Sequence, residues 1–221
     1  QDGIRDSSTS RGLGDVYKRQ ILLNSEALDK KSKLRSFFEK DKKLIPEIDV
    51  LFNDGQEFKI GNLDFKNIFI TGHNSGHIAF YFEKEKVIFT GDTLFIGDVG
   101  RPDLALKTSF SKEDLAGMLY ESLQNKIMPL SDDIIVYPAH GAGSACGKNM
   151  SSETQDLLGN QNKTNYALWA DITKSEFIKE VTDGILPPPQ YFAKNALLNK
   201  SGIKSIDEVL KQGMVALDID Q

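Results

Sequence analysis

The chain has 221 residues, of which 39% are hydrophobic, and its formal net charge is −5. This length suffices for one sizeable domain, and the mixed charges exclude the basic surface of a nucleic-acid-binding protein. No apolar run reaches membrane-spanning length, no signal peptide opens the sequence, and the single cysteine, Cys146, cannot form an internal disulfide. We therefore expect a cytoplasmic protein with no nucleic-acid or membrane partner.

Residues 1–20 are polar, rich in Gly and Ser, and without hydrophobic periodicity. Such a segment buries too little surface to fold, so we expect a disordered tail. The string IRDSSTSRGLGDVYKRQ also resembles translated sequencing-adapter read-through, and the first residue is Gln1 instead of Met. We predict a sequencing artefact outside the fold; the alternative is a natural flexible tail.

The next segments predict a helix followed by a hairpin. Leu, Lys, Glu and Ala dominate Glu26–Lys43, which is typical of a surface helix. The composition then shifts to Ile and Val over Leu44–Asp54. Gly61-Asn62 separates two short strand-like runs, Phe58–Ile60 and Leu63–Phe65, which predicts a hairpin.

Further strands and a helix follow in the middle of the chain. Lys66–Thr71, His77–Phe82 and Val87–Thr90 are β-branched or aromatic, and the last two should pair as a hairpin. Ser111 should cap a helix that ends near Met128. Asp133–Tyr137 (DIIVY) is a continuous apolar run, which indicates a buried strand.

The last part of the chain is predicted to be helical. We expect one helix from about Ser152 to Trp169 and another that begins with a capping box of Thr173 and Glu176. Residues 205–208 repeat the capping pattern. Tyr166 and Trp169 have helical spacing, which favours core positions. Strands that alternate with helices indicate an α/β sandwich.

Three predicted strands end in the same way. Each leads through a small residue to a polar side chain that can bind metal, namely His73, Asp92 and His140. Small residues allow sharp turns and close ligand approach, and imidazole with carboxylate suits zinc or iron. Two of the chain's three histidines lie at these ends, so the pattern favours a metal site over histidines that merely hydrogen-bond to backbone.

Three motifs then carry a family resemblance: Thr71–His77 (TGHNSGH), Phe89–Asp103 (FTGDTLFIGDVGRPD) and Tyr137–Asn149 (YPAHGAGSACGKN). They resemble the later motifs of the metallo-β-lactamase superfamily. The nearest branch contains persulfide dioxygenases and glyoxalase II, particularly bacterial proteins fused to rhodanese modules. The resemblance covers about residues 45–221.

The resemblance implies a fold and a domain organisation. The fold would be a partial αββα sandwich, its second half, with a C-terminal helical extension. The domains would be the tail at 1–20, a partial metallo-β-lactamase-fold domain at 21–170, and a helical segment at 171–221 that leads toward a rhodanese domain.

It also implies ligand roles. His73 matches the histidine ligand of the GHxxGH motif, and Asp92 matches the aspartate that bridges two zinc ions or binds one iron. His140 matches the histidine that binds the second zinc and is not a ligand in mono-iron members. The expected cofactor is therefore Fe(II) or Zn(II), as one or two ions.

One departure from the family pattern limits these expectations. The family's first metal motif, HxHxDH, is absent, and no further histidine could replace it. We expect the chain to bind metal weakly through an incomplete ligand set. With half of the sandwich missing, an exposed sheet edge should also make it unstable or prone to aggregation.

Four further residues are candidates for substrate binding. Arg101 and Asp103 could form an ion pair that locks their loop, or Arg101 could hold a substrate carboxylate. His77 is expected to be structural, through a hydrogen bond within the site. Cys146 is expected to be a small buried thiol, with a nucleophilic role as the alternative.

Three functions remain open, and no residue is assigned as catalytic from the sequence. The parent protein could be a persulfide dioxygenase-like enzyme of sulfur metabolism that oxidises a thiol persulfide. It could instead be a zinc-dependent thioester hydrolase of glyoxalase II type. These 221 residues could also be a non-catalytic remnant. The expected partner is a small thiol persulfide or thioester, with a homo-oligomer possible through the parent protein.

Overall fold

The computed structural model describes residues 50–103 and 110–187, the backbone of Leu22–Asn24, and four isolated residues further on. The chain divides into two compact units, Gln1–Leu186 and Pro187–Gln221. The predicted helix at 26–43 lies outside the described residues. Of the predicted helix start at 205–208, the structure describes only Asp207. Within the described part, no helix is long and apolar enough to cross a membrane.

The first unit is built on a six-stranded mixed sheet. In spatial order its strands are β10 (Asp156–Leu157), β9 (Ile135–Pro138), β6 (Val87–Gly91), β5 (Ile78–Phe82), β4 (Leu63–Phe69) and β3 (Glu57–Ile60). Strands β1 (Leu22–Asn24) and β2 (Val50–Phe52) form a separate parallel pair, and β7 (Leu94–Phe95) pairs antiparallel with β8 (Asp98–Val99).

The two hairpins predicted from the sequence are confirmed. Strands β3 and β4 pair with Ile60 opposite Leu63, and β5 pairs with β6 with Phe82 opposite Val87. The run Lys66–Thr71, expected as a separate strand, is instead the continuation of β4. The reason is that the turn at Gly61-Asn62 lies before Leu63 and the next turn signal is Gly72, so nothing interrupts the strand between them.

Helices cover one face of the sheet. Helix α1 (Lys112–Ser122) begins with a capping box between Ser111 and Asp114 and continues as a π-helical turn (Leu123–Ile127), so the predicted end near Met128 is confirmed. Helix α2 spans Leu158–Thr164. Helix α3 (Lys174–Thr182) begins with the predicted box of Thr173 and Glu176.

The core lies between this face and the helices. Alternate strand residues enter it, because successive side chains of a strand point to opposite faces. Its buried members include Ala79 and Ile88 from the sheet, and Leu119 and Phe177 from α1 and α3. These helices therefore support the strands from which the candidate metal ligands project.

Three sequence-based predictions about this region are wrong. The stretch Ser152–Trp169 is not one helix, because Asp156-Leu157 first pairs with β9 and only α2 and a 3₁₀ turn (Tyr166–Leu168) follow. Trp169 is 53% exposed, although Tyr166 packs against the core as expected. In β9 only Val136 is buried, so the apolar run is not covered on both faces.

Candidate metal centre

The ends of β4, β6 and β9 meet at one edge of the sheet. Strand β9 is parallel to β6, and two antiparallel steps make β4 run in the same direction as β6. His73, Asp92 and His140 follow these strands within four residues, so they start from the same edge. A backbone hydrogen bond of 3.0 Å from the Ala139 N–H to the Gly91 carbonyl oxygen joins two of the turns.

The structure brings the three predicted ligands together around Asp92. His73 Nε2 lies 3.5 Å from Asp92 Oδ2, and His140 Nδ1 lies 2.5 Å from Asp92 Oδ1. Two ligands bound tetrahedrally at zinc distances lie about 3.4 Å apart, so the His73–Asp92 pair has the spacing of a zinc site. The His140–Asp92 distance is that of a hydrogen bond, which leaves no room for an ion between those two atoms.

His73 is prepared to act as a neutral ligand. Its Nδ1 lies 3.0 Å from the carbonyl oxygen of Arg101, which can only accept a hydrogen bond, so Nδ1 carries the proton and Nε2 has a free lone pair. The ring is buried, and burial lowers the pKa of His73 although the Asp92 carboxylate opposes this shift. A neutral imidazole with a free Nε2 is the form that metals bind.

The turn that carries His73 is fixed by helix α1. The Ser122 hydroxyl donates to the Thr71 carbonyl oxygen at 2.7 Å. Gly72 has a φ of +143°, and a Cβ there would lie 2.4 Å from the Leu119 backbone. Only glycine allows this turn to lie directly on the helix, so the core determines where His73 projects.

His77 supports Asp92 and is not placed as a ligand. Its Nε2 accepts a 2.9 Å hydrogen bond from the Asp92 backbone N–H, and a Cβ on Gly91 would lie 2.2 Å from that nitrogen. Burial lowers the pKa of His77, which keeps the accepting nitrogen unprotonated. The contact agrees with the structural role that the sequence favours.

Arg101 and Asp103 form the ion pair that was one of the two sequence-based alternatives. Arg101 Nε and Nη2 donate to the two carboxylate oxygens of Asp103 at 2.6 and 2.7 Å. The guanidinium also donates to the carbonyl oxygens of Ala145 and Leu186. It is 7% exposed, and four of its five N–H groups are in use, which favours the locking role over binding a substrate carboxylate.

Cys146 lies closer to the candidate metal ligands Asp92 and His140 than the sequence suggests. Its Sγ and ligand atoms of Asp92 and His140 all lie within 4.8 Å of one another, and the residue is half-buried. The expectation of a buried thiol is therefore wrong, because the residue is half-buried. The Gly/Ser-rich sequence of this loop carries no periodic signal from which its path could have been predicted.

Comparison with known proteins places this geometry in a family. The family model described as the metallo-β-lactamase superfamily matches residues 12–140, a range that contains all three predicted ligands. The chain belongs to the metallo-β-lactamase superfamily. The predicted fold class, an α/β sheet with helices of this superfamily, is thereby confirmed, and superfamily members bind ions such as zinc or iron.

Individual relatives match only part of their own length. Hydroxyacylglutathione hydrolase GloC of Haemophilus influenzae is 34% identical over 114 residues, which is 49% of this chain and 50% of the relative. A metallo-β-lactamase structure from Staphylococcus aureus has a TM-score of 0.68 at 25% identity and covers 87% of this chain and 53% of its own. The chain thus spans about half the length of these relatives.

A third comparison supports the fold alone. The structure of ETHE1 from Myxococcus xanthus has a TM-score of 0.56 at 23% identity, over 76% of this chain and 69% of its own. The similarity extends the match in architecture to a further metallo-β-lactamase-fold protein.

Proposed function

We propose that the protein containing this chain is a zinc-dependent thioester hydrolase of the glyoxalase II type, which acts on hydroxyacyl thioesters of glutathione. The observation that carries the proposal is the His73 Nε2–Asp92 Oδ2 distance of 3.5 Å, which has the spacing of a zinc site. The substrate class rests on the H. influenzae relative, which is named for this hydrolysis.

The donor set fits such an ion, and each residue has a defined task. His73 and Asp92 would hold zinc, with His140 beside them, and zinc when bound would act as a Lewis acid toward the thioester carbonyl. The Arg101 carbonyl oxygen keeps the proton of His73 on Nδ1. His77 fixes the backbone from which the Asp92 carboxylate projects.

A persulfide dioxygenase with one iron is the second candidate, and one observation favours it. His140 Nδ1 lies 2.5 Å from Asp92 Oδ1, which is the distance of a direct hydrogen bond. This contact fits an arrangement with one ion in which the last histidine is not a ligand. The fusion to a rhodanese module and the truncation of the chain also stay proposals.

Within these 221 residues the ligand set is incomplete, because the HxHxDH motif is absent. We therefore propose that the chain alone binds metal without turnover, as a remnant would. The test uses both this chain and the reading frame extended upstream of Ile21. Hydrolysis of a hydroxyacyl glutathione thioester by the zinc-loaded longer protein would support the main proposal.

Substitution of His140 separates the two enzymes. In the hydrolase, His140→Gln should remove one of two zinc ions and most of the hydrolysis. In the dioxygenase, the same variant should keep its single iron and consume oxygen with glutathione persulfide. A longer protein that binds neither metal and shows neither activity would contradict both proposals. The non-catalytic remnant would then be the remaining hypothesis.

A further inference from the structure

Asp98, at the start of β8, is a completely buried carboxylate that is not among the site residues predicted from the sequence. Its Oδ1 accepts hydrogen bonds from the Val99 N–H at 2.8 Å and the Tyr166 hydroxyl at 2.9 Å. Its Oδ2 accepts from the backbone N–H groups of Lys148 and Asn149 at 2.5 and 2.7 Å. Four donors of the chain itself therefore offset the cost of burying this group.

Two of these donors belong to the loop that follows His140. Consecutive backbone N–H groups that converge on one oxygen form an anion-binding concavity, here filled by Asp98 Oδ2. Gly147 permits the close approach, because a Cβ at that position would lie 2.8 Å from Oδ2. The contact therefore fixes the backbone at residues 147–149.

A second tether acts on the same loop. The Arg101 N–H donates to the Cys146 carbonyl oxygen at 2.9 Å, and the Arg101 guanidinium donates to the Ala145 carbonyl oxygen at 3.3 Å. Both tethers start from residues 98–101, in β8 and directly after it, on the segment that follows Asp92. They hold the loop where the Cys146 thiol lies within 4.8 Å of the ligand atoms of Asp92 and His140.

Tyr166 contacts Oδ1 of Asp98, the oxygen that does not accept from the loop. Burial raises the pKa of Tyr166, and the Asp98 carboxylate raises it further, so the hydroxyl stays protonated and donates. Loss of this one donor would leave both backbone contacts to Oδ2 in place. Tyr166 therefore offers a matched control for Asp98.

We infer that Asp98 is a positioning residue of the candidate metal centre, which holds residues 147–149 so that the Cys146 thiol stays beside Asp92 and His140. The inference rests on the metal centre of the proposed function and not on its reaction class. Without the carboxylate the loop would populate other positions, and apparent metal affinity at the thiol would fall with the fraction correctly placed.

The chain contains one cysteine, so the rate of alkylation by iodoacetamide reports Cys146 alone. In the wild-type chain, rising zinc concentration should slow this alkylation. Asp98→Asn places an amide NH₂ against one of the N–H donors. It should raise the zinc concentration for half-protection by about tenfold or more, the factor expected for one lost hydrogen bond to a charged group.

Three variants keep this test decisive. Gly147→Ala keeps the carboxylate but displaces the loop, and should weaken protection in the same direction if Asp98→Asn does not fold. Tyr166→Phe should protect nearly as the wild type does. Thr173→Ala, at the start of α3, should lower the thermal midpoint without changing half-protection.

Two results would overturn the inference. One is zinc that fails to slow alkylation in the wild-type chain. The other is a lower thermal midpoint in Asp98→Asn or Gly147→Ala with an unchanged zinc concentration for half-protection of the thiol. That is the behaviour of a purely structural residue. Because the readout is thiol protection and not turnover, absence of thioester hydrolysis would count against the proposed function alone.

Discussion

Replacement of Gly100 by alanine is the most selective perturbation of the candidate centre. A Cβ on Gly100 would lie 1.7 Å from the Asp92 carbonyl oxygen and 3.2 Å from His73 Nδ1. The φ of Gly100 lies outside the left-handed region, so the cost of Gly100→Ala is steric and not conformational.

The displacement can be worked out from these distances. Cβ contacts under 3.0 Å are essentially never seen, so the distance from this Cβ to the Asp92 carbonyl oxygen must grow from 1.7 Å to at least 3.0 Å. Binding constellations tolerate a misplacement of about 0.5 Å. We expect a destabilisation of about 1–3 kcal/mol, typical of overpacking, and a zinc affinity lower by about 10–100-fold.

Gly141 provides the matched control, because it directly follows His140 and has nothing within 4 Å of its added Cβ. Gly141→Ala should keep the wild-type zinc affinity and change stability by no more than a gain of about 0.4–1 kcal/mol. The assays are zinc titration against a chromophoric chelator and urea unfolding of the 221-residue chain. Equal zinc affinities in Gly100→Ala and the wild type would refute the steric reasoning, as would an equal loss in Gly141→Ala.

Three further predictions concern pH, His77 and the cap of α3. Because burial lowers the pKa of His73 and His77 from 6.5, the unfolded chain takes up protons that the folded chain does not. The contribution of these two histidines to the free energy of unfolding of the metal-free chain should be fully present above pH 6.5. Below pH 6.5 this free energy should fall by up to about 2.7 kcal/mol per pH unit, measured by urea unfolding. A free energy of unfolding that stays constant between pH 6.5 and 5 would contradict this. His77→Gln can present an oxygen to the Asp92 N–H and should bind zinc more tightly than His77→Leu, and equal affinities by titration would exclude this contact as a support. Thr173→Ala removes the capping box with Glu176 and should cost about 1 kcal/mol in urea unfolding with unchanged zinc affinity.

The parts of the fold with local signals could be predicted from the sequence. The Gly61-Asn62 turn defined the first hairpin, and the boxes at Ser111 and Thr173 defined two helix starts, because turns and caps depend on residues close together in the chain. The strand-end pattern likewise predicted the grouping of His73, Asp92 and His140. This pattern is visible in the sequence because a small residue followed by a polar side chain marks the end of a buried strand locally.

The predictions failed where long-range pairing decides the structure. Asp156-Leu157 forms a strand only because β9 offers it a partner, and the surrounding sequence alone suggested a helix. Cys146 lies at the centre because Arg101 and Asp98 tether its loop across more than forty residues of sequence. A buried Asp such as Asp98 carries no sequence signal, because its four donors come from three separate segments.

The central claim is most directly tested by X-ray absorption at the zinc edge on the chain loaded with one equivalent of zinc. Imidazole scattering, with nitrogen and oxygen at about 2.0–2.2 Å, is the expected result, and it should weaken in His73→Ala. An imidazole-free shell in the wild-type chain, or a spectrum unchanged by His73→Ala, would show that the strand ends do not form a metal centre.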